Sequence, residues 1–156
     1  MVTTIGITQI HRGLVAEQLS ILLADEFLIY VKTLNAHWNV EGPDFYSKHL
    51  FFEDQYKQLA KIVDDLAERI RSLGHYAPAT MTEFLQLTHF TEKSREDNNS
   101  IGFIRSLLSD HDDLIMHLRA SIYELQEKLK DNGTSDHITG LMETHEKMAW
   151  MLRSHL

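Results

Sequence analysis

HWNVEGPDFYSKHLFFEDQYKQLAKIVDDLAER, residues 37–69, carries five side chains able to hold a metal: His37, His49, Glu53, Asp64 and Glu68. Gly42 and Pro43 break the chain after the first of them, so His37 closes one helix and the other four ride on the next. The two histidines stand six residues either side of Pro43. In an antiparallel hairpin, equal distance from the turn is equal height, so they can meet across the interface. His49 with Glu53 and Asp64 with Glu68 are i, i+4 pairs, each pointing one way from the helix. At 100° per residue all four fall within roughly 100° of arc, on a shoulder of the apolar face formed by Phe45, Phe52, Tyr56, Val63 and Ile70. Yet the midpoints of the pairs lie about 22 Å apart at 1.5 Å per residue. One straight helix cannot bring both to one ion. A second copy, packed antiparallel about a two-fold axis near Gln58 and Leu59, sets His49 beside Asp64 or Glu68 of the partner subunit. Ala60 and Ala67 face the same way and allow close approach.

Taken singly, each of these residues reads as a core histidine or a solvated charge. The joint set carries the argument. Two histidines and three carboxylates, with no cysteine in the chain, suit iron, manganese or zinc and disfavour an iron–sulfur cluster or structural zinc. No E-x-x-H occurs anywhere, although di-iron bundles with a site inside one subunit use it on paired helices. That absence points to an interface.

HWNVEGPDFYSKH, followed by FED and DDLAERI, resembles the ferroxidase signature of the Dps proteins, and NGTSDHI and HEKMAWML extend the resemblance through nearly the whole chain. It implies an all-α, ferritin-like four-helix bundle with a long crossover carrying a short helix, assembled as a hollow homo-dodecamer. It further implies a di-iron centre between two-fold-related subunits, with His37, His49 and Glu53 from one and Asp64 and Glu68 from its neighbour. Ferrous iron would be oxidised there, preferably by hydrogen peroxide, and stored as ferric oxide; zinc or manganese could substitute. Glu53 stands where many members carry Asp. Trp38 reads from composition as a core aromatic at the bundle end; the resemblance adds a role in intercepting radicals. It also assigns acids near the start of the fourth helix to iron-entry pores, which Asp136 matches best and Glu146 less well. A solvated acid near a helix N-terminus is the plain alternative.

The 156 residues and 43% hydrophobic content fit a single domain spanning residues 1–156. MVTTIGITQI has neither a basic region nor a sustained apolar run, so no signal peptide is expected. Asp25 and Glu26 interrupt the longest apolar stretch and exclude a membrane span. A cytoplasmic location is expected. The net charge of −8 favours cations over nucleic acid as partners. A DNA-compacting protein with incidental metal is therefore the weaker alternative, since Met1 to Ile10 holds no Lys or Arg. A helical scaffold that binds no iron is a third.

A first helix is expected from about Thr8 to Asn39, apolar almost all round at Ile21, Leu22, Leu23, Phe27, Leu28, Ile29 and Val31, as in helices inside assemblies. Asp44 should cap the second, which stops at Gly74. Pro78 ends regularity, and Thr80 to Glu83 offers a capping box. The third begins after Ser94 to Asn98 and follows Ile101, Ile104, Leu108, His111, Ile115, Leu118, Ile122, Leu125 and Leu129 until Asn132 and Gly133 end it. Thr134 or Ser135 should cap the fourth, whose buried edge reads Ile138, Leu141, Met142, His145, Met148, Ala149 and Leu152. His111 and His145 read as structural. The run DHDD at 110–113 diverges around a helix and makes a poor metal site.

Overall fold

The computed structural model describes residues 3–93 and 97–156. Its helices are α1 (Gln9–Asn39), α2 (Phe45–Ser72), the short α3 (Met81–Leu87), α4 (Ser100–Tyr123) and α5 (Asn132–Arg153), with a π-helical turn at Glu124–Lys128 between the last two. Among the described residues there is no strand, only an isolated bridge between Glu41 and Asn99. No helix is long and apolar enough to cross a membrane.

Contacts at successive heights give the direction of each helix. His37 meets His49 and Tyr30 meets Tyr56, so α1 and α2 run antiparallel. Asp112 pairs with Arg153, and Ser135 donates to the Ile122 carbonyl, so α4 and α5 do as well. Lys32 on α1 is paired with Asp110 on α4, and Asp25, two turns earlier on α1, lies within 4.8 Å of His117, two turns later on α4, while also reaching Thr88 and His89 beyond α3. Hence α2 and α4 point the same way. Only a connection that travels the length of the bundle can join them, and α3 lies on it, its Phe84 stacked on Phe27 of α1 at 4.4 Å.

Several helix ends follow local chemistry. Thr8 Oγ1 accepts from His11 N–H at the start of α1. Thr80 and Glu83 form the reciprocal capping box of α3. Gly74 follows α2 at φ +91°, a left-handed conformation that costs glycine little, and a Cβ there would also strike Thr3.

Other expectations need correction. Asp44 sits at the N-cap of α2 but makes no capping bond; its carboxylate accepts from the Ser100 hydroxyl at 2.6 Å and ties α2 to α4 instead. That bond, first among the causes, lowers the Asp44 pKa. Asn132 and Gly133 do not end the third long helix; they open α5, and Asp131 is its cap. The helix end lies earlier, where Leu129 N–H reaches the Glu124 carbonyl and Lys130 takes φ +57°. Ser94, named at the start of the third helix, lies outside the described residues. The buried face of α2 is Phe52, Gln55, Leu59, Ile62, Leu66 and Ile70. Phe45 and Tyr56 are not on it, because a 3.6-residue stripe through Phe52 and Ile70 passes beside them.

The main core runs between Leu19, Leu23, Leu59, Leu66, Leu114, Leu118 and Ile138. A second cluster, Ala36, Val40, Phe52, Phe103, Ile104, Leu107 and Leu152, closes the end of the bundle that carries His37. Phe52 is fully buried there, and its truncation to Ala would cost about 3–5 kcal/mol. The floor beneath the histidines is therefore stiff.

Candidate metal centre

His37 sits in the last turn of α1, where carbonyls lack helical partners, and His49 sits in the second turn of α2. Each ring donates to the other residue's backbone: His37 Nδ1 to the His49 carbonyl at 2.9 Å, and His49 Nδ1 to the His37 carbonyl at 2.8 Å. A carbonyl oxygen can only accept, so both Nδ1 atoms carry the proton and each neutral ring keeps its lone pair on Nε2. The rings stack with centroids 3.9 Å apart and planes at 20°. Tyr56 packs edge-on against His37, and Phe45 flanks His49. This is the orienting arrangement that metal-binding imidazoles use, with the second nitrogen held by a backbone acceptor.

Glu53, one turn along α2, is half-exposed and paired to Lys57 at 2.5 Å. The Lys57 hydrogen bond and charge hold its carboxyl below the usual range. Asp64 and Glu68 are exposed on the same helix, their midpoint about 22 Å from that of His49 and Glu53 at 1.5 Å per residue. Among the described residues neither of their carboxylates takes a hydrogen bond or an ion pair. Asp64 borders an open apolar groove of about 440 Å³, lined by Phe27, Tyr30, Ala60, Val63, Ala67 and Met81.

The chain thus brings His37 and His49 together, sets Glu53 one turn on from His49 with its carboxylate on Lys57, and leaves Asp64 and Glu68 farther along the same helix. Trp38 is 68% exposed and takes no part in the Phe52 cluster, so it does not fill the end of its own bundle. Asp136 is exposed near the start of α5, beside a depression shared with Gln126, Asn132 and Thr139. Glu146 is paired with Arg119 at 2.5 Å.

Spacing gave no sign of two further clusters. Glu26, His145 and His111 form a fully buried chain: Glu26 Oε1 to His145 Nε2 at 2.8 Å, then His145 Nδ1 to His111 Nδ1 at 2.8 Å. Asp25, His89 and His117 bring their donor atoms within 4.8 Å of one another. Their members lie on separate elements, three different helices for the first cluster and α1, the crossover and α4 for the second, where only the tertiary fold can unite them. The DHDD run is absorbed by ion pairs, Asp110 with Lys32 and Asp112 with Arg153.

Residues 16–156 match the ferritin-like domain family. The chain is 35% identical to a DNA protection during starvation protein of Helicobacter pylori, over 90% of this chain and 96% of that one. It is 41% identical to an uncharacterised low temperature-induced protein of Nostoc, covering 97% of this chain and 85% of that one. Among solved structures it is similar to a Dps of Mycobacterium smegmatis, with a TM-score of 0.93 and 26% identity over 100% of this chain and 93% of that one. It is also similar to a Vibrio cholerae Dps described as a ferritin-like diiron-carboxylate protein, with a TM-score of 0.90 and 27% identity over 99% and 97%. The helices and their crossover define a ferritin-like bundle. Within that class the chain belongs to the Dps family.

Proposed function

We infer that this protein is a ferroxidase and iron-storing mini-ferritin whose centres form between two-fold-related subunits. The observation that carries the reading is the reciprocal His37–His49 pair, which leaves both Nε2 atoms as donors, with Glu53 one turn on from His49 and with Asp64 and Glu68 too far along the same helix to help. The apolar groove beside Asp64 supplies a surface for a second α2. In an antiparallel dimer, Asp64 and Glu68 of the partner subunit complete the set. Two imidazoles and three carboxylates suit iron, and carboxylates gain preference as iron becomes ferric. Zinc or manganese fits the same donors.

In the reaction, two ferrous ions bind as substrates and each gives up one electron. One hydrogen peroxide takes up both electrons and two protons, its O–O bond breaks, and two waters form. Taking the electrons as a pair avoids releasing a hydroxyl radical, and exposed Trp38 beside His37 is placed to intercept one that escapes. Assembly as a shell of twelve would enclose the ferric product. Asp136 is the better pore residue of the two, being exposed and, among the described residues, without an ion pair, while Glu146 is already compensated by Arg119. The net charge of −8 opposes DNA binding by the shell.

Ferrous oxidation followed by stopped flow with each oxidant tests this reading. Peroxide should act much faster than oxygen, and His49→Ala with Glu53→Ala should remove the rapid phase. Equal rates in the double variant would place the reaction elsewhere.

A further inference from the structure

We propose that Asp25, His89 and His117 form a second metal site, for a borderline divalent cation of which Zn2+ is the best fit, and that the ion clamps the crossover to the bundle. The three residues come from α1, from the crossover just after α3, and from α4. The Asp25 carboxylate is 1% exposed and its aim is fixed. Oδ1 accepts from the Thr88 hydroxyl at 2.8 Å and from His89 N–H at 2.7 Å, while Oδ2 meets His89 Nδ1 at 2.9 Å. The His117 ring lies 4.6 Å from that of His89. All three donor atoms fall within 4.8 Å of one another.

Donors around a tetrahedral Zn2+ at 2.0–2.1 Å are about 3.4 Å apart. Closing the present separation takes only side-chain rotation, for which there is room: the His89 side chain is 52% exposed and His117 lies at the surface. Two nitrogens and one oxygen without sulfur favour Zn2+ over Mg2+ or Ca2+, which prefer oxygen alone. Three protein ligands leave a fourth position for water, the pattern of open zinc sites. The site shares no residue with the His37 centre. Its ion would bridge α1 and α4 through the segment that joins α2 to α4, so the connection most dependent on long-range contacts becomes cross-linked when metal is present.

The test uses the full chain with His49, Glu53, Asp64 and Glu68 replaced by Ala, so that the first centre cannot contribute. Titrated with Co2+, this protein should bind one ion per subunit with the intense visible bands of a low-coordinate site, and Zn2+ should displace it. Zn2+ should also raise its melting temperature. Adding His117→Gln, a surface change that leaves the fold intact, should abolish the bands and the shift; His89→Gln should do the same. Equal Co2+ stoichiometry with and without His117→Gln would overturn the site. Weak, octahedral-type bands would do so too, marking an adventitious ion only.

Discussion

Lys57 Nζ stands 2.5 Å from Glu53 Oε1, so the carboxylate nearest the two histidines already has a cation in hand. On the proposed reading, an incoming ferrous ion has to displace it. Lys57→Ala should therefore tighten ferrous binding roughly two- to fivefold at neutral pH, the size of an exposed ion pair. The pair also lowers the Glu53 pKa. Without Lys57 that pKa rises toward the ordinary range, and binding should fail at a higher pH on acidification. Iron titrations of both proteins between neutral and mildly acid pH check the two effects. A variant that binds more weakly at neutral pH would contradict the first.

A centre shared between subunits, as proposed, predicts complementation. One chain lacking His49 and Glu53 and another lacking Asp64 and Glu68 should each be inactive alone. Co-assembled, each mixed dimer regains one intact centre and loses both halves of the other. Rapid ferrous oxidation should recover in proportion to mixed dimers. Confirmed hybrids with no recovery would rule out the two-fold arrangement.

His111 is fully buried, and burial with the neighbouring His145 charge pushes its pKa well below the usual 6.5. The unfolded chain therefore binds a proton that the folded one refuses. Stability should be on a plateau above about pH 6.5 and fall as pH drops below it, because there the unfolded state holds more protons. His111→Leu should make that fall shallower. At neutral pH it should still cost about 1–3 kcal/mol, since His145 Nδ1 loses its partner. Urea midpoints across this range, at fixed protein concentration, read both. An unchanged acid slope would remove His111 as its source.

Arg69 reaches from α2 to the cap of α5, donating to Thr134 Oγ1 at 2.9 Å and to Asp131 at 3.1 Å. Asp131 is buried and also accepts the Thr134 N–H. Arg69→Met should destabilise the fold by about 1–3 kcal/mol, as expected when a charged group loses its hydrogen-bonded partner at a partly exposed site. Thermal unfolding at constant concentration measures it. The loss should be largest in hydrogen exchange at the first turn of α5.

What could be read in the sequence was what rests on neighbours along the chain. Thr8, Gly74 and the Thr80–Glu83 box act within four residues, and each stands where its spacing placed it. The periodic edge of α5 from Ile138 to Leu152 is buried throughout. Asp44 misled because a cap residue has two possible partners, and Ser100 lies 56 positions away. Asn132 and Gly133 misled because glycine opens helices as well as closing them, and here a lysine takes the left-handed turn. For the metal centre, the His37–His49 meeting followed from symmetry about Pro43. The Lys57 pairing was an i+4 signal left unused. The Asp25–His89–His117 cluster had no local signal at all, since 63 or more residues separate Asp25 from the crossover that covers it.

Helix α2 runs 28 residues without a break, and that continuity holds each chain's two half-sets permanently out of each other's reach. On the composite reading, a newly made subunit carries every ligand and no working centre. Meeting a neighbour then acts as a licence: oxidation cannot begin until there is a second wall to receive its product. At low subunit concentration activity should therefore climb with the square of concentration.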